Sequence, residues 1–147
     1  MSDLADVAAG LNSAAIHLVR RLRRADESLA VTPARLSALS VLVFGGPRSI
    51  SALADTEQVS GPTMSRIVSA LVEAGLVDRS PDPDDARAVV LSATPEGAEL
   101  MEQGRRQRVE RLVADLENLP DEEIEVLREA VRILRSLERP APSQPPP

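Results

Sequence analysis

The chain has 147 residues, a net charge of −6, 43% hydrophobic residues and 1% aromatic residues, with Phe44 its only Phe, Trp or Tyr. That length suits one domain, commonly about 100–200 residues, and a core of Leu, Val, Ile, Ala and Met favours helix packing over sheet sandwiches. Zero cysteines exclude disulfides, thiolate metal sites and cysteine redox sensing, while no apolar run reaches the ~18 residues of a membrane span and no signal-peptide pattern opens the chain, so a cytoplasmic protein is expected.

Charge is uneven along the chain. Residues 1–47 hold five Arg and four acids, residues 48–92 four Arg and seven acids, and residues 93–147 eight Arg and twelve acids. All 17 basic residues are Arg. Its planar fork suits phosphates and guanine edges, although a GC-biased genome produces the same preference.

A first helix is predicted from residue 3 to about 27, because Leu4, Val7, Ala8, Leu11, Ala15, Leu18, Val19 and Leu22 recur at three- and four-residue steps. "RRLRR" (Arg20 to Arg24) near its end reads either as a solvated helix face or as a phosphate-binding patch. His17 beside the apolar stripe reads as an interface histidine, with a ligand or pH role as the alternative. "VTPARLSALSVLVF" starts a second helix, with Thr32 as N-cap and Pro33 at the first helical position, and "GGPR" stops it.

Two helices follow, broken near Val59–Ser60. Ile50, Leu53, Ala54 and Val59 face inward on the first of them. Met64, Ile67, Val68 and Leu71 form the inner stripe of the second, and Gly75 ends it. "LVDRS" and "RAVVLS" flank "PDPDDA" as a β-hairpin. Pro95 opens a long helix to about residue 117, Pro120 breaks the chain, and Asp121 caps a last helix carrying Ile124, Leu127, Val131, Leu134 and Leu137. The tail "RPAPSQPPP" has no apolar period and is expected to be disordered.

The helix after Ser60 raises the functional question. Ser60, Gly61, Pro62 and Thr63 give it a blunt, small, polar start, which a helix entering the DNA major groove needs. Pro62, Ser65, Arg66 and Ser69 lie away from the apolar stripe and can meet bases or phosphates without a bulky clash. The helix alone leaves an ordinary capped surface helix equally open. The hairpin shifts the balance, because its loop presents Arg87 for a narrow minor groove, with Asp85 placed to hold the guanidinium by a charge-assisted hydrogen bond. Asp82, Asp84 and Asp85 offer hard oxygens to a metal, but no distal bidentate Glu or pivot glycine completes a cation loop.

"VSGPTMSRIVSALVEAGLVDRSPDPDDARAVVLSATPEGAEL" resembles the MarR family of winged helix-turn-helix transcription regulators: a recognition helix, a "GLV" exit, a "DxR" wing and "L-x-x-T-x-x-G" into a long helix. "VTPARLSAL" stands where "LTPARLSAL" is usual, and the likeness spans residues 4 to 137. It implies a mainly α (α+β) fold: a dimerisation helix over 1–30, a winged helix-turn-helix over 31–94 and C-terminal dimerisation helices over 95–138. Within the middle part the recognition helix covers about 60–74 and the wing about 77–92, and 139–147 form the tail. Carried over residue by residue, the resemblance puts contact with double-stranded DNA on Ser60, Pro62, Thr63, Ser65 and Arg66, and wing contact on Arg87 with Asp85 as its partner. It also implies a homodimer on a pseudo-palindromic site and a repressor released by a small-molecule effector, with no cofactor.

The rival class is a winged-helix module that binds protein instead of DNA, which the acidic centre favours. An enzyme has little support: the sequence shows no P-loop, no dinucleotide glycine fingerprint and no histidine pair.

Overall fold

The computed structural model describes residues 2–26, 29, 31–85 and 87–137. The proline-rich tail lies outside the described residues. The chain divides into two compact units, Met1–Val109 and Glu110–Pro147. Six helices and three short strands run in the order α1 (Ser2–Asp26), α2 (Pro33–Gly45), β1 (Arg48–Ser49), α3 (Ile50–Glu57), α4 (Gly61–Glu73), β2 (Val77–Pro81), β3 (Val89–Ala93), α5 (Pro95–Leu116) and α6 (Asp121–Leu137).

The first unit is organised around one small core. Ala38, Leu39 and Leu42 of α2 meet Leu53 and Ala54 of α3, Met64, Val68 and Leu71 of α4, Val77 and Leu91 of the sheet, and Met101 of α5. The α3 and α4 members are the stripes that the sequence periodicity selects, with Ile50, Val59 and Ile67 half-buried at the margin. Complete burial of a Leu or Met side chain contributes about 1.5–3 kcal/mol. With no large aromatic inside, the core depends on several such aliphatic contacts. The α1 helix takes no share in this core: from Asp3 to Arg21 it is exposed throughout, His17 included.

Each boundary has a local cause. Pro33 opens α2 as expected; Thr32 precedes it in extended conformation, yet its side chain makes no capping bond. Gly46, at φ 80°, ends α2 in a backbone region that side chains disfavour. Ser49 caps α3, its hydroxyl accepting from the Ala52 N–H. The turn from α3 to α4 is short because Gln58 takes the left-handed conformation at φ 54°, while Val59 N–H donates to the Ala54 carbonyl at 3.0 Å. For α6 the expectation changes: Asp121 is the first helical residue, not the cap, and the Pro120 carbonyl accepts from Ile124 N–H at 3.2 Å. Asp121, Glu122 and Glu123 all sit in its first turn, where negative charge complements the helix dipole.

The sheet has three strands in the order β1-β3-β2, antiparallel throughout. Sequence patterning gives only the hairpin. The additional strand is two residues long, too short for any period to show, and pairs Arg48 with Leu91 and Ser49 with Val90. Arg48 also clips the end of α2, donating to the Gly45 carbonyl at 2.8 Å and towards Thr56 Oγ1 at 3.4 Å.

Thr94 fastens the turn between α4 and β2 to α5. Its hydroxyl donates to the Gly75 carbonyl at 2.7 Å and accepts from Gly97 N–H at 3.0 Å, and Thr94 itself is buried. Thr94→Val keeps the shape but leaves one buried donor and one acceptor unmatched, each costing about 1–3 kcal/mol. Thermal denaturation is expected to show a clear fall in Tm for Thr94→Val and a much smaller one for Thr94→Ser. Equal melting of Val and Ser variants would mean that water replaces both bonds.

Candidate nucleic-acid interface

The α4 helix presents two unlike faces. Met64, Val68 and Leu71 are buried, whereas Gly61, Pro62, Thr63, Arg66 and Ser69 are exposed and Ser65 is half-buried. Ser60 caps the helix from an extended backbone: its hydroxyl lies 2.8 Å from the Thr63 hydroxyl and accepts from Thr63 N–H at 3.4 Å. Pro62 lies within the first helical turn, where the missing N–H costs no intrahelical bond. The tip is therefore slim, carries hydroxyls and has no acid in its first turn. Such a tip can approach a phosphate or base edge closely, with first-turn N–H groups directed outward.

The far end of α4 passes into the wing through three residues. Leu76 N–H donates to the Leu71 carbonyl and Gly75 N–H to the Val72 carbonyl, both at 2.9 Å, with Gly75 at φ 71°. This paired closure satisfies the last carbonyls and turns the chain directly into β2. Leucine and valine on one side of the turn, glycine in it and valine after it are what "LVEAGLV" encodes.

The wing loop runs from 82 to 88. Asp82 N–H donates to the Ala88 carbonyl and Ala88 N–H to the Asp85 carbonyl, both at 2.9 Å. Its acids serve the loop's own backbone: Asp82 Oδ1 accepts from Asp84 N–H at 2.9 Å, and Asp85 Oδ1 accepts from Arg87 N–H at 3.0 Å. This corrects the expected role of Asp85, which holds the Arg87 backbone and not its guanidinium. A short Asp side chain reaches an N–H two residues on more easily than the head of a long arginine, so it forms a local turn. Arg87 is exposed at the loop's end. Among the described residues no group of three or more His, Asp or Glu side chains is disposed to hold a metal ion.

Six of the seven sequence-derived contact residues thus lie on two exposed, connected surfaces: Ser60, Pro62, Thr63, Ser65 and Arg66 at the start of α4, and Arg87 on the wing. The seventh, Asp85, shapes the wing loop. Sequence reading missed Arg79 of β2, whose Nη2 donates to Ser69 Oγ at 3.1 Å and ties the wing to the outer face of α4. The available signal was its place two residues after the buried Val77, an inward strand position held by a charged residue.

Residues 31–88 match the family model described as "MarR family". An HTH-type transcriptional regulator of Mycobacterium bovis, Mb0904, is 38% identical over 133 residues, spanning 90% of this chain and 93% of the relative. Among solved structures, transcriptional regulator Tm0710 from Thermotoga maritima superposes with a TM-score of 0.78 at 24% identity, covering 86% of this chain and 89% of that one. An S. aureus MepR mutant, solved bound to an oligodeoxyribonucleotide, gives a TM-score of 0.68 at 22% identity over 90% of this chain and 98% of that one. With its slim α4 tip, its hairpin wing and these relatives, the chain belongs to the MarR family of helix-turn-helix transcriptional regulators.

Proposed function

We propose that two copies of this chain bind a pseudo-palindromic DNA site as a repressor, and that a small molecule releases them. The observation that carries this reading is the exposed, small and polar face of α4 joined without slack to an arginine-bearing wing. The start of α4, with Ser60, Pro62, Thr63, Ser65 and Arg66, enters the major groove; Arg87 enters the flanking minor groove, where a narrow channel attracts a guanidinium. Two such heads related by a two-fold axis meet half-sites about 34–36 Å apart.

Pairing is supported by apolar faces that a single chain leaves uncovered. Leu4, Val7 and Leu11 of α1 are exposed, as are Leu127, Val131 and Leu137 of α6. A two-fold interface covers the same patch on both copies. Effector binding is supported by a cavity of about 490 Å³ among the end of α1, α2 and α5. Leu36, Phe44 and Met101 supply apolar wall, and Arg23 and Arg108 supply guanidinium groups. A small apolar molecule carrying an anionic group fits that lining. Such a ligand silences the protein by favouring a dimer whose two heads no longer match the half-site spacing.

Fragments of the source genome retained by the protein, followed by gel shift and sedimentation of the complex, test the reading. A restricted set of fragments bound by two chains is the expected result, and indifference to all duplexes at low ionic strength would overturn it. The exposed wing acids Asp84 and Asp85 favour a second reading, a protein partner on the same face, which that negative result would support. Within the first reading, Arg87→Ala should weaken operator binding by about 1–3 kcal/mol with the melting temperature nearly unchanged. An unaltered gel shift for Arg87→Ala would remove the wing from the interface.

A further inference from the structure

Segment 48–92 is acidic for a surface that approaches DNA, so the fate of each of its four arginines matters. Arg48 is occupied by the Gly45 carbonyl at 2.8 Å and by weaker contacts to the Gly46 carbonyl and Thr56. Arg66 and Arg87 lie on the two surfaces already described. Arg79 remains, and its position is unusual. It stands opposite Leu91 in the ladder and two residues after Val77, both of which are buried, so all three share one face of the sheet. An apolar residue would suit that face. Arg79 instead extends to the rim and is exposed.

Its head is held but its charge is not neutralised. Nη2 donates to Ser69 Oγ at 3.1 Å, and among the described residues no carboxylate pairs with it. A guanidinium has five N–H donors in a fixed fork, so four remain available. Ser69 continues the outer row of α4 formed by Pro62, Ser65 and Arg66, one turn further along. A single exposed bond between a cation and a neutral hydroxyl contributes only modestly to folding. Arg79 also lines a cleft of about 370 Å³ whose other side carries the hydroxyls of Ser49 and Ser51, 3.0 Å apart.

The shape of a duplex supplies the remaining step. A helix seated in the major groove and a wing seated in the flanking minor groove straddle one sugar–phosphate strand. The part of the protein that faces this strand is the junction of α4 with the root of the wing, where Arg79 lies. We propose that Arg79 is a phosphate contact, oriented by Ser69, on the backbone strand that separates the two occupied grooves. This rests on the DNA-binding reading above.

A phosphate contact is distinguishable from a base contact or a brace by its dependence on salt, because each neutralised phosphate adds about 0.9 to the slope of log K against log salt. Affinities of the full-length protein should be measured across a salt series for a selected genomic fragment and for a mixed-sequence duplex. Arg79→Ala and Arg79→Gln are expected to weaken both duplexes by a similar factor, roughly tenfold at low salt, and to lower the slope by about 0.9. Arg79→Lys keeps the slope of the unsubstituted protein, and Ser69→Ala keeps the slope with a several-fold loss of affinity. If Arg79→Gln binds with full affinity and slope, the arginine is only a brace and its phosphate role is refuted while DNA binding stands. Weakening confined to the selected fragment would refute that role as well, because it marks a base contact. If the unsubstituted protein retains no duplex at low salt, both readings fall together. Gln keeps the aliphatic stem without the charge, and Ser69→Ala removes the Nη2 bond while keeping the guanidinium, so a folding defect confined to Arg79→Ala leaves the test decisive.

Discussion

Leu127→Glu is expected to convert the proposed dimer to single chains and to lower operator affinity by about 10²–10⁴, the loss that follows when two linked contacts become independent. The α6 helix has no buried residue: Leu127 is 41% exposed and Val131 48%. Ile124, Leu127, Val131 and Leu134 recur at steps of three and four, the spacing of a seam between helices. On a helix that stays in water, one more glutamate would be harmless. Beneath a partner it becomes a buried, unpaired charge, which costs several kcal/mol. Leu134→Glu should behave alike. Arg128→Ala is the control, since among the described residues Arg128 pairs with Glu125 at 3.3 Å and both are largely exposed, a kind of pair worth about 0–1 kcal/mol. Sedimentation that finds dimers for both glutamate variants would rule out α6 as the seam.

The second large effect belongs to Gly97→Ala, which is expected to destabilise the winged unit by about 1–3 kcal/mol or more. A Cβ built at Gly97 falls 2.3 Å from the Leu76 carbonyl oxygen and 3.1 Å from a Leu39 methyl. The methyl can turn aside. The carbonyl cannot move cheaply, because Thr94 N–H holds it at 3.1 Å and it sits between the end of α4 and the first residue of β2. The strain therefore falls on the junction of α4 and the wing, and DNA binding should weaken together with Tm. A circular-dichroism melt matching that of the unsubstituted protein would show that α5 can shift away. Gly10 and Gly61 have open space at the corresponding position, so alanine there avoids this clash.

How much of this was legible in the sequence depends on the reach of each interaction. Helix limits were legible because their causes are local: Pro33 and Gly46 bound α2, and Gly75 closes α4. The core was legible because Leu53, Met64, Val68 and Leu71 obey a period. The β1 strand was not, since its partner Leu91 lies more than forty residues away and two residues carry no pattern. The reversed role of Asp85 is a local competition, and sequence alone cannot say whether a carboxylate prefers a nearby N–H or a neighbouring guanidinium. Arg79 was hidden for a different reason. Alternation predicts the direction of a strand residue, but only the packing of α4 against the sheet reveals that a serine waits within reach.

The tight closure at Gly75 has a consequence for how this protein can be controlled and how it can diversify. With three residues and two backbone bonds between them, the groove-reading rod and its finger are welded at one angle. In the proposed dimer a ligand therefore does not tilt one against the other; it acts on how far apart the two welded heads stand. New target preferences are correspondingly expected to arise by exchanging side chains on a fixed frame, and an inserted residue at that weld should abolish recognition outright instead of retuning it.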